Sequence, residues 1–583
     1  MVQLTRRSVL RIMAGAIAMI RAGHVVPKRA LASPIPGPQA WSLLEQQIKG
    51  KLLTPTLPWR EVSQVVLQKL RNPFWIQGQP GGSQSTGWLG GWQAVASTRA
   101  IAAESSEDLA AGVRFCQQYG VRLVVKGTGH DYLGRHCAPD SLLLWTHLMR
   151  NVQVHDAFVP QGAPVGTEPM QAITVQAGVR WLDVYEAATS AGRYVLGGGC
   201  TSVGACGGFI LGGGFGSFSK RYGTGAGGLL EAEVITADGQ IRRVNNYQDP
   251  ELFFALRGGG GSFAVLSEII LLSHPMPERL ALITGEVQAA DDDAYRELIE
   301  AVLRFYPVHL DNPHWGETIQ FKSDNSLELS LTALDLVDMD VRRVIEQLLA
   351  PFRAQPQRFK VKLEFIFLPF ADVWNADAWD RLKPGMITRD PESDASAGRF
   401  WWTGDGEQTG AFWNSYDSIW IPTKELREQP EQMAMAFFHA SRHFEFEFAI
   451  NKGLSGQGID ARQRDLQTAL HPDCFEAAGL VICSDRQDDC YPGVPGYEYN
   501  LEHGIQRAHQ VQGAMAELRK ILPNSGTYGN EANYFLQQPG RSQWGSHLTR
   551  LQAIKQRVDP ENLFRVHNGI GSLQDEEFEK KFI

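Results

Sequence analysis

The sequence predicts an α+β fold, and three observations carry that prediction. Capped, apolar-periodic segments alternate with short β-branched runs between residues 105 and 275; glycine-rich loops follow those runs; and from residue 276 onward longer amphipathic segments flank strands. At 583 residues the chain has room for two to four domains. Its 55 basic and 64 acidic residues give a net charge of -9, with no long basic run beyond the N-terminus, which argues against nucleic acid and leaves small-molecule chemistry.

The first element is a signal. Arg6 and Arg7 precede a short, weakly apolar run that cannot span a bilayer, and Ala30-Leu31-Ala32 offers a small-residue cleavage site. Residues 1–32 therefore read as a twin-arginine-type export signal, which implies an export machinery as partner and a periplasmic or secreted location if the source is bacterial. A basic amphipathic helix is the alternative. Seven cysteines leave at least one without an intrachain partner; Cys474, Cys483 and Cys490 offer either a disulfide or buried thiols.

The stretch Asn72 to Gln93 has the Gly, Pro and Ser content of a loop. A helix is expected from Ser105, with Ser-Ser-Glu-Asp at its start and Gly120 at its end, followed by the buried strand VRLVVKG. ITVQAG (Ile173 to Gly178) is a second strand, Trp181 to Ser190 a second helix, and the two extended runs around Asp238-Gly239 form a hairpin. Gly223 to Gly228 fits GxGxxG but precedes a strand, which rules out a nicotinamide-binding turn.

Two loops stand out. Gly197 to Gly216 reads GGGCTSVGACGGFILGGGFG, ten glycines in twenty residues interleaved with apolar side chains, a density that lets backbone approach a flat ligand. Earlier, KGTGHDYLGRHC places Gly127, Thr128, Gly129 and His130 after a strand, with Gly134 beyond. Taken alone, His130 is better read as a turn or core histidine, and it is the cysteine loop seventy residues later that reverses this reading. A third block, DPELFFALRGGGGSFAVLSEIILL, joins a short helix to a strand through Gly258 to Gly261.

These three blocks, in this order, resemble the berberine bridge enzyme-like flavoproteins of the wider vanillyl-alcohol oxidase and p-cresol methylhydroxylase family. The resemblance spans about residues 72–275 and 524–572, more weakly between. It implies a two-part FAD-binding domain of the vanillyl-alcohol oxidase type with an inserted substrate domain, an antiparallel sheet covered by helices. The expected boundaries are 33–275 for the first part of the FAD domain, 276–515 for the substrate domain and 516–583 for the returning segment.

The same resemblance implies FAD bonded twice, through His130 to the 8α carbon and through Cys200 to carbon 6. Gly127, Thr128, Gly129, Gly134, Gly199, Val203, Gly204, Gly207, Gly208, Gly213 and Gly214 would complete the cofactor contacts, and no metal is expected. Gly207 and Gly208 either leave space for oxygen beside the ring or simply permit a tight turn.

In the substrate domain, HFEFEFAINKG (His443 to Gly453) alternates apolar and charged residues, so Glu445 and Glu447 share one strand face. Such a face is ordinarily solvated; in the family it points at the active site. Six tryptophans from Trp374 to Trp420 are core residues or a platform for a flat substrate. The family's YxNY motif appears as Tyr528-Gly529-Asn530-Glu531, with Glu where the second tyrosine often stands and Asn533 in place of the acid. Tyr528, with its pKa depressed by its surroundings, or Glu531 would be the base; Glu445 and Glu447 are further candidates.

The function implied is an exported FAD-linked oxidase taking hydride from an alcohol of a sugar, oligosaccharide or other secondary or aromatic alcohol, with O2 as acceptor and hydrogen peroxide as product. The alternatives are oxidation at C–N or C–C positions, a dehydrogenase using another acceptor, and a flavin-binding protein without catalysis.

Overall fold

The computed structural model describes residues 35–60, 63–393, 398–406 and 408–572; the twin-arginine reading falls outside them. No described helix is long and apolar enough to cross a membrane.

The β-branched run VRLVVKG folds as the strand Arg122–Lys126 and enters a four-stranded sheet ordered Lys51–Leu53, Arg99–Ala102, Ser141–Trp145, Arg122–Lys126. All neighbours there are parallel except the first pair. Across it lies the helix Ser106–Tyr119, whose two ends behave as their residues dictate. Ser105 Oγ accepts from the Asp108 N–H at 3.4 Å, and Gly120 closes the helix at φ 65°. Leu109, Val113 and Cys116 on its inner face join Leu123, Leu142 and Leu144 in one core.

A second sheet is wholly antiparallel: Ile241–Asn245, Leu229–Ile235, Val265–Leu272, Met170–Gln176, Val152–Phe158. Its first two strands are the hairpin expected around Asp238-Gly239, and Gly228 precedes a strand, in keeping with the rejection of a nicotinamide turn. The helices Trp181–Ser190 and Pro250–Leu256 share its core with Trp544, Leu551, Ile554 and Ile570, so the end of the chain returns to the first domain.

The third sheet has eight strands and forms the substrate domain. In order these are Phe359–Pro369, Arg279–Ala289, Ser326–Leu334, Trp315–Phe321, Phe446–Ala449, Ala477–Gln487, Ala411–Pro422 and Ser85–Trp88. Helices Asp292–His309, Asp338–Arg353, Pro430–His443 and Leu501–Ile521 bury one face, drawing Ile299, Leu349, Phe437 and Met515 into a core with Ile283, Leu329 and Phe448. The opposite face looks toward the glycine loops.

Three expectations need correction. Asn72 to Gln93 is not all loop: Asn72 caps the helix Pro73–Gln77, its Oδ1 accepting from the Phe74 N–H at 2.9 Å, and Ser85–Trp88 pairs in parallel with Ala411–Pro422. Loop-like composition hid an Asn-Pro helix start. His443 belongs to the preceding helix, so the strand runs only from Phe446 to Ala449. The 515/516 boundary cuts the helix Leu501–Ile521, whose Leu518 is packed in the substrate core; the chain leaves that domain after Ile521.

All seven cysteines carry free thiols, and Cys474, Cys483 and Cys490 are buried, which is the second of the two readings above. Among the described residues no cluster of His, Cys, Asp and Glu is arranged to hold a metal.

Candidate active site

A cavity of about 460 Å³ separates the glycine loops from the substrate sheet. Gly127, Thr128, Gly129 and His130 line it from the end of the strand Arg122–Lys126; Gly199, Cys200, Val203, Gly204, Gly207 and Gly208 line it from the second loop. Lys126 fixes the first loop from below, its buried ammonium donating to the carbonyls of Gln79, Pro80 and Gly82 at 2.7–2.9 Å. The second loop is tied to the start of the helix Trp181–Ser190, where the Trp181 and Leu182 amides donate to Val203 and Thr201. Gly204 N–H donates to Thr128 Oγ1 at 2.9 Å and joins the two loops.

One side chain connects the two expected attachment points. Ser202 Oγ lies 3.0 Å from His130 Nε2 and 3.4 Å from Cys200 Sγ. Burial, with the charge of His136 behind it, pulls the His130 pKa down to about 3, so the imidazole is neutral and holds a free nitrogen lone pair. Burial pushes the Cys200 thiol well up.

The glycines divide into two sets. A Cβ at Gly199, Gly207 or Gly208 would project into open space, the room a flat ring system needs against the backbone. At Gly134, Gly213 and Gly214 it would strike the rings of Trp92 and Phe209 or the Leu470 side chain, and none of these three lines the cavity. Their absence of a side chain serves packing, and Gly213, at φ 120°, has a backbone open to little else. The residues present thus fit an isoalloxazine.

The substrate sheet and the returning C-terminal segment together supply the other wall. Glu531 and Lys452 form an ion pair at 2.5 and 2.6 Å, both largely buried, so Glu531 is not a free base. Tyr528 OH accepts from Asn530 Nδ2 at 3.2 Å and from the Gly214 N–H at 3.4 Å. Burial, reinforced by Glu531, raises its pKa, the reverse of the depression expected from sequence, and the phenol keeps its proton. Asn530 also donates to the Gly208 carbonyl at 3.0 Å, stitching the C-terminal segment to the cysteine loop.

Glu445 is exposed and outside the strand, and it does not reach the cavity. Glu447 points the right way but stands behind the wall; burial raises its pKa to about 7, opposed by Lys452 and supported by Glu531 and Glu317. None of the six tryptophans is in the cavity wall; Trp379, Trp413 and Trp420 are buried in cores.

Sequence reasoning missed Glu317. It lines the cavity, accepts from Ser217 Oγ, and burial raises its pKa. It stands at φ 73°, a left-handed conformation rare for a side chain of this kind, inside the strand Trp315–Phe321. Its carbonyl accepts from the Ile450 N–H at 2.9 Å, just where pairing with Phe446–Ala449 ends. Only the break in strand geometry marks it, and no periodicity rule shows that. Asn451, Lys452, Ser217 and Gln408 line the same wall and were likewise unmarked.

A two-part domain whose glycine loops face a carboxylate-bearing sheet across one cleft defines a flavoprotein oxidoreductase of the vanillyl-alcohol oxidase type. Comparison with known proteins agrees. Residues 98–245 match the FAD binding domain family and residues 527–571 the berberine and berberine-like family. The FAD-linked oxidoreductase easE of Trichophyton verrucosum is 31% identical over 92% of this chain and 89% of its own. Among solved structures, the VAO-type flavoprotein MtVAO615 from Myceliophthora thermophila superposes with a TM-score of 0.74 at 22% identity, covering 94% of this chain and 97% of the other. Glucooligosaccharide oxidase from Acremonium strictum, described with a 6-S-cysteinyl, 8α-N1-histidyl FAD, gives 0.60 at 20% identity, over 81% and 91%. The chain belongs to the berberine bridge enzyme-like FAD-linked oxidoreductases.

Proposed function

We propose that this FAD-linked oxidoreductase is an oxidase that carries its FAD on both His130 and Cys200 and takes hydride from the carbon of an alcohol. The observation that carries the reading is the convergence of His130 and Cys200, linked through the buried Ser202, on one wall of the cavity with Glu317, Tyr528 and the Lys452–Glu531 pair opposite. Bound FAD supplies the two-electron acceptor, and O2 is the proposed final oxidant, giving hydrogen peroxide.

The protein must hold a C–H bond against the ring and accept the proton of the adjacent hydroxyl. Glu317 is the side chain placed for the second task. It faces the cavity, its burial raises its proton affinity, and Ser217 orients it. Tyr528 donates its phenol proton into the cavity, since Asn530 and Gly214 already occupy its acceptor side. The Lys452–Glu531 pair fixes the far end of the substrate. Export through the twin-arginine route remains part of this proposal, resting on Arg6 and Arg7.

A second reading has its own observation. Glu317, Glu447 and Glu531 gather around Lys452, a local surplus of negative charge that suits a substrate carrying an ammonium and oxidation beside nitrogen. Anaerobic stopped-flow reduction with a panel of oligosaccharides, aromatic alcohols and secondary amines separates the two. Reduction by alcohols alone upholds the first reading, and reduction by amines alone replaces it. Acid-precipitated wild-type protein should stay yellow, while the His130→Ala/Cys200→Ala double variant should release its flavin.

A further inference from the structure

The wall around Cys200 contains a group that substrate oxidation does not use. The short helix Thr403–Gly406 follows the strand Phe400–Trp402, which is tied to the cysteine loop at two points. Trp402 Nε1 donates to the Gly199 carbonyl at 2.9 Å, and Thr201 Oγ1 donates to the Phe400 carbonyl at 2.8 Å. This anchoring brings the Asp405 carboxylate close to the Cys200 thiol, near enough for each to shift the proton affinity of the other. One carboxylate oxygen, Asp405 Oδ2, is buried without a hydrogen-bond partner.

An orphaned buried carboxylate oxygen is costly and calls for a function. A thiol in a site that burial keeps protonated needs a base to become a nucleophile. Ser202 lies 3.4 Å from the same sulfur and reaches His130. Sulfur, base and orienting hydroxyl thus form one unit.

We propose that Asp405 is the general base of a self-modification, the attachment of Cys200 to its own cofactor; this rests on the doubly attached FAD proposed above. In the step, Cys200 gives its thiol proton to Asp405 while a sulfur lone pair forms the bond from Sγ to carbon 6. The hydrogen on carbon 6 leaves as a proton, and the electron pair of that C–H bond stays on the ring, which is thereby reduced by two electrons. Dioxygen takes those two electrons and two protons to give one hydrogen peroxide, which restores the oxidised ring. Asp405 then releases its proton to water.

The test uses full-length protein from a riboflavin-limited culture, supplied with FAD in air and quenched over time. Peptide mass spectrometry reads flavin on the His130 and Cys200 peptides separately. Wild type should be linked at both. Asp405→Asn should keep the His130 link while Cys200 occupancy rises at least tenfold more slowly, and Asp405→Glu should recover most of the rate. Equal rates of Cys200 linkage in Asp405→Asn and wild type overturn the proposal. Wild type with no flavin on Cys200 at any time instead overturns the doubly attached cofactor on which it rests.

If Asp405→Asn does not fold, the wild-type rate decides through pH. Burial raises the Asp405 pKa to about 6; Cys200, Glu317 and Tyr132 are the titratable groups facing it. Linkage should then be slower at pH 5 than at pH 8, and a rate independent of pH overturns the proposal.

Discussion

The two walls of the cavity are built in opposite ways. The flavin wall is mostly backbone: Gly199, Gly207 and Gly208 offer space, and its few side chains, His130, Ser202 and Cys200, touch one another. The sheet wall is all side chain, with Glu317, Lys452, Glu531 and Tyr528 brought together from chain positions two hundred residues apart. The first wall depends on what is missing from the chain and the second on charge balance, so substitutions should separate attachment of the cofactor from reaction with the substrate.

The largest expected effect tests the sheet wall. Glu317→Gln removes the proton acceptor while keeping shape, and the rate of anaerobic flavin reduction should fall by about 10²–10⁴-fold with covalent flavin retained. A rate within threefold of wild type removes Glu317 from that role.

The pH profile sharpens the same point. An acceptor must be ionised, so reduction should rise with pH along a limb set by the raised carboxyls, of which Glu447 titrates near 7. Below that limb the protonated acids are inactive. Glu447→Gln takes away a neighbouring negative charge and should move the limb to lower pH with a loss of about tenfold or less, because Glu447 stands behind the wall. An unmoved limb would show that Glu447 is not coupled to the acceptor.

On the flavin wall, Gly208→Val fills open space beside the ring. Reoxidation by O2 should slow by roughly tenfold, about 1.4 kcal/mol in the barrier, while anaerobic reduction is kept. Rapid transfer from unmodified protein to a quinone, with slow reaction in air, would instead identify a dehydrogenase. The smallest effect is expected for Thr128→Val, which removes the acceptor of the Gly204 N–H and should cost about 1 kcal/mol, read as a slightly lower Tm with flavin content unchanged.

How much of this was legible follows from the same contrast. Glycine density, the capped helix at Ser105 and the β-branched run before Lys126 are local, and local chemistry places them correctly. His130 and Cys200 meet in one cavity because each ends such a local unit. Glu445 and Glu447 show where local reading stops: alternation put both on one face, and the capping end of the preceding helix left Glu445 in solvent. Glu317 and Asp405 draw their surroundings entirely from distant segments, Ser217 and Cys200 respectively, so nothing near them in sequence sets them apart.

The strand Ser85–Trp88 has a consequence for how the protein is made. It completes the edge of the substrate sheet beside Ala411–Pro422, a strand buried along nearly its whole length. The partner it needs emerges from the ribosome roughly 330 residues later, so the early strand must wait unpaired while the first domain forms around it. A fragment beginning at residue 276 would leave Ala411–Trp413 at the sheet edge without their strand partner, and association with its own copies through that edge is the expected outcome. Synthesis has to run past Gln487, the end of the last strand of that sheet, before the sheet over the cavity can be complete.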